Sequence, residues 1–285
     1  MTFEVENKIS DKDFADCFDA AVRHLQTMLA KCAEDAPDGS VKGLPHTWIK
    51  DLPTAPLLEH MSFMLGNQAF FVRLEDVESF DLPLLSDDKR SSELSAALGT
   101  SRFPGTMQGL MRAAAGYEGR ACVMPMRRQS GGDGASAWRP ALPGWSLLDL
   151  RGMKPLDPVT VVTDERIKAT DWELHDAAVR VVRDALRADG KRVISWTSDP
   201  GVMPSLWFDE EGGKPNWVIV RACRAPEKNL PAPEAELAKK IKAQMGGAPG
   251  HYACVNFTGK DDDGVVYRGE ESTHEYAGLS PLGGE

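Results

Sequence analysis

At 285 residues, with 42% hydrophobic and 27% charged side chains, the chain has enough apolar content for one large or two modest cores, which excludes a disordered protein. No stretch approaches the roughly 18 consecutive apolar residues of a membrane span, and the opening MTFEVENKISDKDF is acidic where a secretory signal is basic and then apolar; a cytoplasmic protein without membrane association is expected. The net charge of −10 is unevenly spread, with 17 basic against 24 acidic side chains in residues 1–165 and 16 against 19 in the remainder. Phosphate binding draws on clustered positive charge, so nucleic acid is not the expected partner, and a protein with a basic surface is.

The five cysteines (Cys17, Cys32, Cys122, Cys223, Cys254) are odd in number and show no Cys-x-x-Cys pair or zinc-finger histidine spacing, so buried free thiols are expected. Gly-x-Gly-x-x-Gly, the P-loop pattern and the Gly-x-Ser-x-Gly elbow are absent. Neither a cofactor nor a metal site follows from the residues. Asp261-Asp262-Asp263-Gly264 has consecutive rather than alternate carboxylates and no Glu at the twelfth position, which suits a solvated turn better than a Ca²⁺ loop.

In chain order, residues 11–34 carry Phe14, Phe18, Val22, Leu25 and Leu29 at helical spacing, with Ser10 and Asp13 placed to cap the start. Pro45, Pro53 and Pro56 make 41–60 an extended connection. A strand is predicted over 68–75 (QAFFVRLE), a charged surface stretch over 76–92, a helix over 106–117 and a strand over 120–126. Residues 130–137 (SGGDGASA) read as a flexible loop. An aromatic, proline-rich passage with Trp138, Pro140, Pro143, Trp145 and Pro155 then leads to a short strand over 159–163. Strand, helix and strand suggest a small α+β domain over 61–164, preceded by an N-terminal helix and connection over 1–60.

The second half is more sharply punctuated. Over 170–189, Leu174, Ala178, Val181, Val182, Ala185 and Leu186 form one helical face, Thr170 and Glu173 have the spacing of a capping box, and Gly190 supplies the stop. Three strands follow: 192–197 (RVISWT), closed by Asp199-Pro200-Gly201; 205–209 (SLWFD); and 217–223 (WVIVRAC), apolar on both faces as a central strand would be. A proline-rich joint (Pro226, Pro231, Pro233) opens a helix over 234–245, and the last predicted strand is 251–257.

That order, αβββαβ over residues 165–285, resembles the core of the restriction-endonuclease-like, or PD-(D/E)XK, nuclease superfamily, giving an α/β (α+β) fold class. Active members hold Mg²⁺ with an Asp at the start of the second strand and a Glu or Asp in the third, followed two residues later by a Lys, with an acidic residue on the first helix assisting. Carried onto this sequence, the Pro-Asp pair falls on Pro204-Ser205 and the Glu-x-Lys on Ile219-Val220-Arg221. The resemblance therefore implies a degenerate site made of Glu173, Ser205, Ile219 and Arg221, since Mg²⁺ needs oxygen ligands that Ile cannot supply. Asp199 and Asp209 are the carboxylates near enough in sequence to serve as relocated ligands. Glu173 reads either as that acidic helper or as a capping residue, the capping box explaining it without catalysis, and His175, the one His of that helix, either as a general base or, by the preferred reading, as a solvated or hydrogen-bonded side chain. Arg221, in a central strand, needs a partner if buried; an ion pair with Glu173 and an exposed strand end are the two expectations.

Three functions fit these observations. The leading one is a non-catalytic protein-binding or accessory protein of the immunity or secretion-associated type, on a degenerate nuclease-like scaffold. The second is a metal-dependent nuclease with relocated carboxylates. The third is a structural or assembly protein in which the passage from Trp138 to Pro155 forms a homo-oligomer contact.

Overall fold

A computed structural model of the chain describes residues 12–34, 43–49, 61–78, 107–130, 136–209, 213, 215–227 and 235–282. The expected Ser10 cap, the stretch 79–106, the glycine-rich loop 131–135 and the joint containing Pro231 and Pro233 lie outside them. The fold is mixed α+β, and the chain divides between residues 165 and 166 into two units. Among the described residues no helix is long and apolar enough to cross a membrane.

The first unit opens with α1 (Lys12–Ala33), whose Phe14, Cys17, Phe18, Ala21, Leu25 and Leu29 are buried on one face. There follow β1 (His46–Trp48), β2 (Phe63–Leu65), β3 (Gln68–Asp76), α2 (Met107–Gly116), β4 (Arg120–Ser130), β5 (Ser136–Pro140), β6 (Leu147–Asp149) and β7 (Lys154–Leu156). Strands β1, β2 and β3 pair antiparallel in sequence, β4 joins β3 in parallel, and both β5 and β6 pair along β4. The face of α1 packs on Phe63, Leu65, Phe70, Val72, Leu74, Cys122, Met124 and Met126. The helix expected as part of a separate 1–60 region thus shares a core with residues 61–156, its apolar stripe covering one face of the sheet. On the opposite side of β3, the ring of Phe71 meets Tyr117, just past α2, edge-on at 5.1 Å.

Several local expectations change. The aromatic passage holds β5, β6 and β7, and Trp138 and Trp145 are 5% and 4% exposed, their apolar area taken up inside the unit's own core. The β-branched run 159–163 is not a strand: Asp157 accepts a hydrogen bond from Val159 N and caps a 3₁₀ turn, Pro158–Val161.

In the second unit, α3 (Asp171–Ala188) begins with the expected capping box. After it come β8 (Arg192–Trp196), β9 (Leu206–Asp209), β10 (Asn216–Arg224), α4 (Ala235–Gln244), β11 (Gly250–Gly259), β12 (Ser272–Tyr276) and β13 (Ser280–Leu282). Thus 251–257 belongs to the fourth strand of this unit and is not the last. Strands β8, β9 and β10 pair consecutively and antiparallel, β10 and β11 are parallel, and β12 and β13 both pair along β11. Helix α3 packs on Val218, Val220, Ala253, Val255 and Phe257. The alternate residues Trp217, Ile219 and Tyr252 pack with Ala238 and Ile241 of α4. At the start of β11, a Cβ on Gly250 would lie 2.2 Å from the Trp217 ring, so this strand enters only as glycine.

The first unit's core offers a direct test. Phe63 is fully buried and stacked between Phe70 at 5.1 Å and Trp145 at 5.9 Å. Phe63→Ala is expected to cost about 3–5 kcal/mol, read in urea as an earlier midpoint of that unit's transition at unchanged slope.

Candidate functional site

The residues carried over from the resemblance separate into two groups. Ser205, 2% exposed, stands at the entry to β9, where its N–H donates to Val218 O at 2.9 Å and its hydroxyl accepts from Val220 N at 3.3 Å. Ile219 is 1% exposed and packs against Trp217, Ala238, Ile241 and Tyr252. Arg221 follows on the same face, half-buried, and its charge works against the burial that pushes the Tyr252 hydroxyl up. Ser205, Ile219 and Arg221 are therefore neighbours, as the element order predicts.

Glu173 is not with them. It sits in the first turn of α3, which covers the Val218 and Val220 face, whereas Ile219 and Arg221 face α4. Its carboxylate closes the capping box by accepting from Thr170 N at 2.7 Å, while its own N–H donates to the Thr170 hydroxyl at 3.2 Å. Both carboxylate oxygens also accept from Arg268, at 2.8 Å and 3.0 Å from Nε and at 3.0 Å from a terminal nitrogen. The Arg268 side chain is 2% exposed. Of the two expectations for Arg221, the pair with Glu173 gives way to this one, which the sequence hides because Arg268 lies 95 residues on.

The two other carboxylates also fall apart. Asp199 is buried in the turn after β8, where it accepts from Gly201 N at 2.9 Å. Asp209 closes the far end of β9, opposite Arg192, whose guanidinium holds its carboxyl below the usual range. One ion cannot bridge opposite ends of a hairpin, and among the described residues no three His, Cys, Asp or Glu come together as a metal set.

A different cluster does form where α3 meets the β8–β9 turn. Asp176, fully buried, accepts from the Ser198 hydroxyl and pairs with Arg180 at 2.8 Å one helical turn away. His175 is 7% exposed with its Nε2 unpartnered. Burial lowers its pKa to about 4, the Asp199 charge opposing this only in part, so the ring is neutral at neutral pH. The cluster braces the turn from beneath, and the turn presents Val202 and Met203, 44% and 42% exposed. Asp176 with Arg180 was legible as an i,i+4 pair; nothing in the sequence pointed to Ser198.

In the first unit, a groove of about 900 Å³ runs beside α1, lined by Asp13, Asp16, Asp19, Arg23, Arg128 and Arg139 among others. Asp13 accepts from Arg128 and from Trp138 Nε1, the latter at 3.0 Å. Asp16 and Asp19 are exposed.

Residues 172–282, nearly the whole second unit, match a family model described as a domain of unknown function, DUF8840. Comparison with curated proteins and with solved structures finds no match.

Two outcomes follow. Glu173→Ala removes the carboxylate that pairs with the buried Arg268 and half of the cap, and is expected to cost about 3–5 kcal/mol, measured by chemical denaturation; Glu173→Gln, which keeps an acceptor oxygen, is expected to cost less. For His175 the folded pKa lies below the unfolded value near 6.5, so between pH 6.5 and about 4 the unfolded chain binds the proton and the native one does not. Stability is then intact above pH 6.5 and falls as pH drops through that window, by about 3 kcal/mol in all, and His175→Gln flattens this part of the profile.

Proposed function

We propose that the protein is a non-catalytic binding protein whose second unit is a restriction-endonuclease-like scaffold without a ligand set, and whose acidic first unit meets a basic protein surface. The observation that carries this reading is Ile219. It occupies the third-strand position where an active nuclease holds a carboxylate, and it is packed out of solvent by Trp217, Ala238, Ile241 and Tyr252. A carboxylate placed there would be desolvated with no partner. The αβββαβ order with parallel third and fourth strands supports the scaffold assignment, and fold alone leaves the function to the site. An immunity or secretion-associated role in the cytoplasm belongs to the same proposal.

Two measurements test it. DNA and RNA incubated with the full-length protein and Mg²⁺ or Mn²⁺ are expected to remain intact; hydrolysis that disappears in Asp199→Ala or Asp209→Ala would establish relocated ligands and overturn the reading. For a protein recovered by affinity capture, the association rate is expected to fall as salt rises. Asp16→Asn with Asp19→Asn is expected to slow association several-fold at low ionic strength and to converge on the wild type at high salt, where the Debye length shrinks to a few ångströms. A rate indifferent to both would remove the charge argument.

A further inference from the structure

We infer that the chain is a tandem duplication: residues 12–156 and 171–282 are two copies of one module, each folding as a unit. Both copies run helix, three antiparallel strands, crossover helix, and a fourth strand parallel to the third. In both, two later strands share the outer edge of the fourth: β6 and β13 pair along its first half, β5 and β12 along its second. Topology alone is a weak argument, because few arrangements pack well. The register and the residues make it a strong one.

Strands β3 and β10 are each nine residues long, and their bounds coincide at an offset of 148. The parallel ladders end at equivalent pairs, Asp76 with Met126 and Arg224 with Phe257, at offsets of 148 and 131. Under those offsets Phe70, Val72, Cys122, Met124 and Met126, which face α1, correspond to Val218, Val220, Ala253, Val255 and Phe257, which face α3, and all ten are buried. Gly119 and Gly250 become equivalent, and each allows a close approach: a Cβ would lie 2.7 Å from Ala69 O at the first and 2.2 Å from the Trp217 ring at the second. Loops set the offset anew between elements, as insertions in connections do.

Identity appears at some of the equivalent positions, in the helices and the first three strands, and at none of the paired positions of β4 and β11. Asp19-Ala20-Ala21-Val22-Arg23 of α1 repeats as Asp176-Ala177-Ala178-Val179-Arg180 of α3, with Ala21 and Ala178 both fully buried. Trp48 and Trp196 end their first strands opposite Phe63 and Leu206. Ser62 and Ser205 are both buried, and their carbonyls accept equivalent backbone bonds, from Ile49 N at 2.9 Å and from Thr197 N at 2.8 Å. Val72-Arg73 corresponds to Val220-Arg221, with the arginines opposite Val123 and Cys254.

The duplication gives Ser205 and Arg221 a meaning that does not depend on the proposed function. The same Ser and Arg stand at the same places in the first copy, where Arg73 is 6% exposed and lies 3.2 Å from buried Glu75. They belong to the module, and a module that carried them before it doubled had already no Asp and no Lys at those positions.

The test uses the full-length chain and hydrogen–deuterium exchange. Gly119→Ala is expected to raise exchange at least tenfold over 68–76 and 120–128 and to leave 216–224 and 250–259 at wild-type rates; Gly250→Ala is expected to do the reverse. Where a glycine variant does not fold, Leu25→Ala and Val182→Ala, equivalent positions of α1 and α3, are read the same way. Equivalence itself is tested by exchanging core residues: Cys17→Leu with Leu25→Val makes positions 17, 21, 22, 25 and 29 of α1 identical to Leu174, Ala178, Val179, Val182 and Leu186, while the buried Phe14 and Phe18, which fall on Asp171 and His175, stay as they are. That double variant is expected to melt within about 5 °C of the wild type, whereas Leu25→Ala falls well below it. A substitution that deprotects both ladders alike, or neither, overturns the proposal, as does a double variant no more stable than Leu25→Ala.

Discussion

A parallel neighbour cannot be reached through a tight turn, and much of this protein follows from that constraint. The chain leaving β10 must cross over the sheet before it can enter β11, and the crossing segment, α4, covers the face that α3 leaves open. A strand covered on both sides has no wet face, so β10 is apolar at successive residues, Trp217, Val218, Ile219 and Val220, all 2% exposed or less. The same condition acts on β3, where Ala69, Phe70, Phe71 and Val72 are 1% exposed or less. Position 219 is thereby a core position, and its chemistry is set by packing.

Within this frame, polar groups survive where they tie elements together. Ser205 joins the entry of β9 to β10, Asp176 joins α3 to the β8–β9 turn, and Glu173 joins the first turn of α3 to Arg268. In each case a buried polar atom has a partner, as burial requires, and the partner belongs to a different element.

The helices legible in the sequence were those whose own pattern is long, and β9, only four residues, was legible from its bounding turns, whereas the five-residue β12, STHEY, lacks an apolar alternation. Helices α1 and α3 show helical spacing over several turns, and α3 also shows its cap and its stop at Gly190, whose φ of +75° suits glycine. The short strands β1, β2, β6, β7 and β13, three residues each, were not legible. Three residues carry no period, and such strands exist because a longer neighbour offers them a register. The same distinction holds at the site: the proximity of Ser205, Ile219 and Arg221 followed from strand order, whereas Glu173 with Arg268 and Asp176 with Ser198 depend on tertiary placement. The repeated Asp-Ala-Ala-Val-Arg was in plain sight, but without the ladders there was no register against which to align the rest.

The close approach of Gly250 to Trp217 ties the drift of two positions together. The indole occupies the space a side chain at position 250 would need, and its Nε1 is anchored to Ala248 O at 3.0 Å. In the first unit the residue opposite the equivalent glycine is small, Ala69, and the ring of Phe71 comes to 3.1 Å of the same space from two residues further along its strand. One volume is thus filled by different donors in the two units. A lineage in which Trp217 shrinks is released to accept a side chain at 250, and one that loses the glycine first must shrink the tryptophan, so the two positions are expected to change as a pair and in a preferred order.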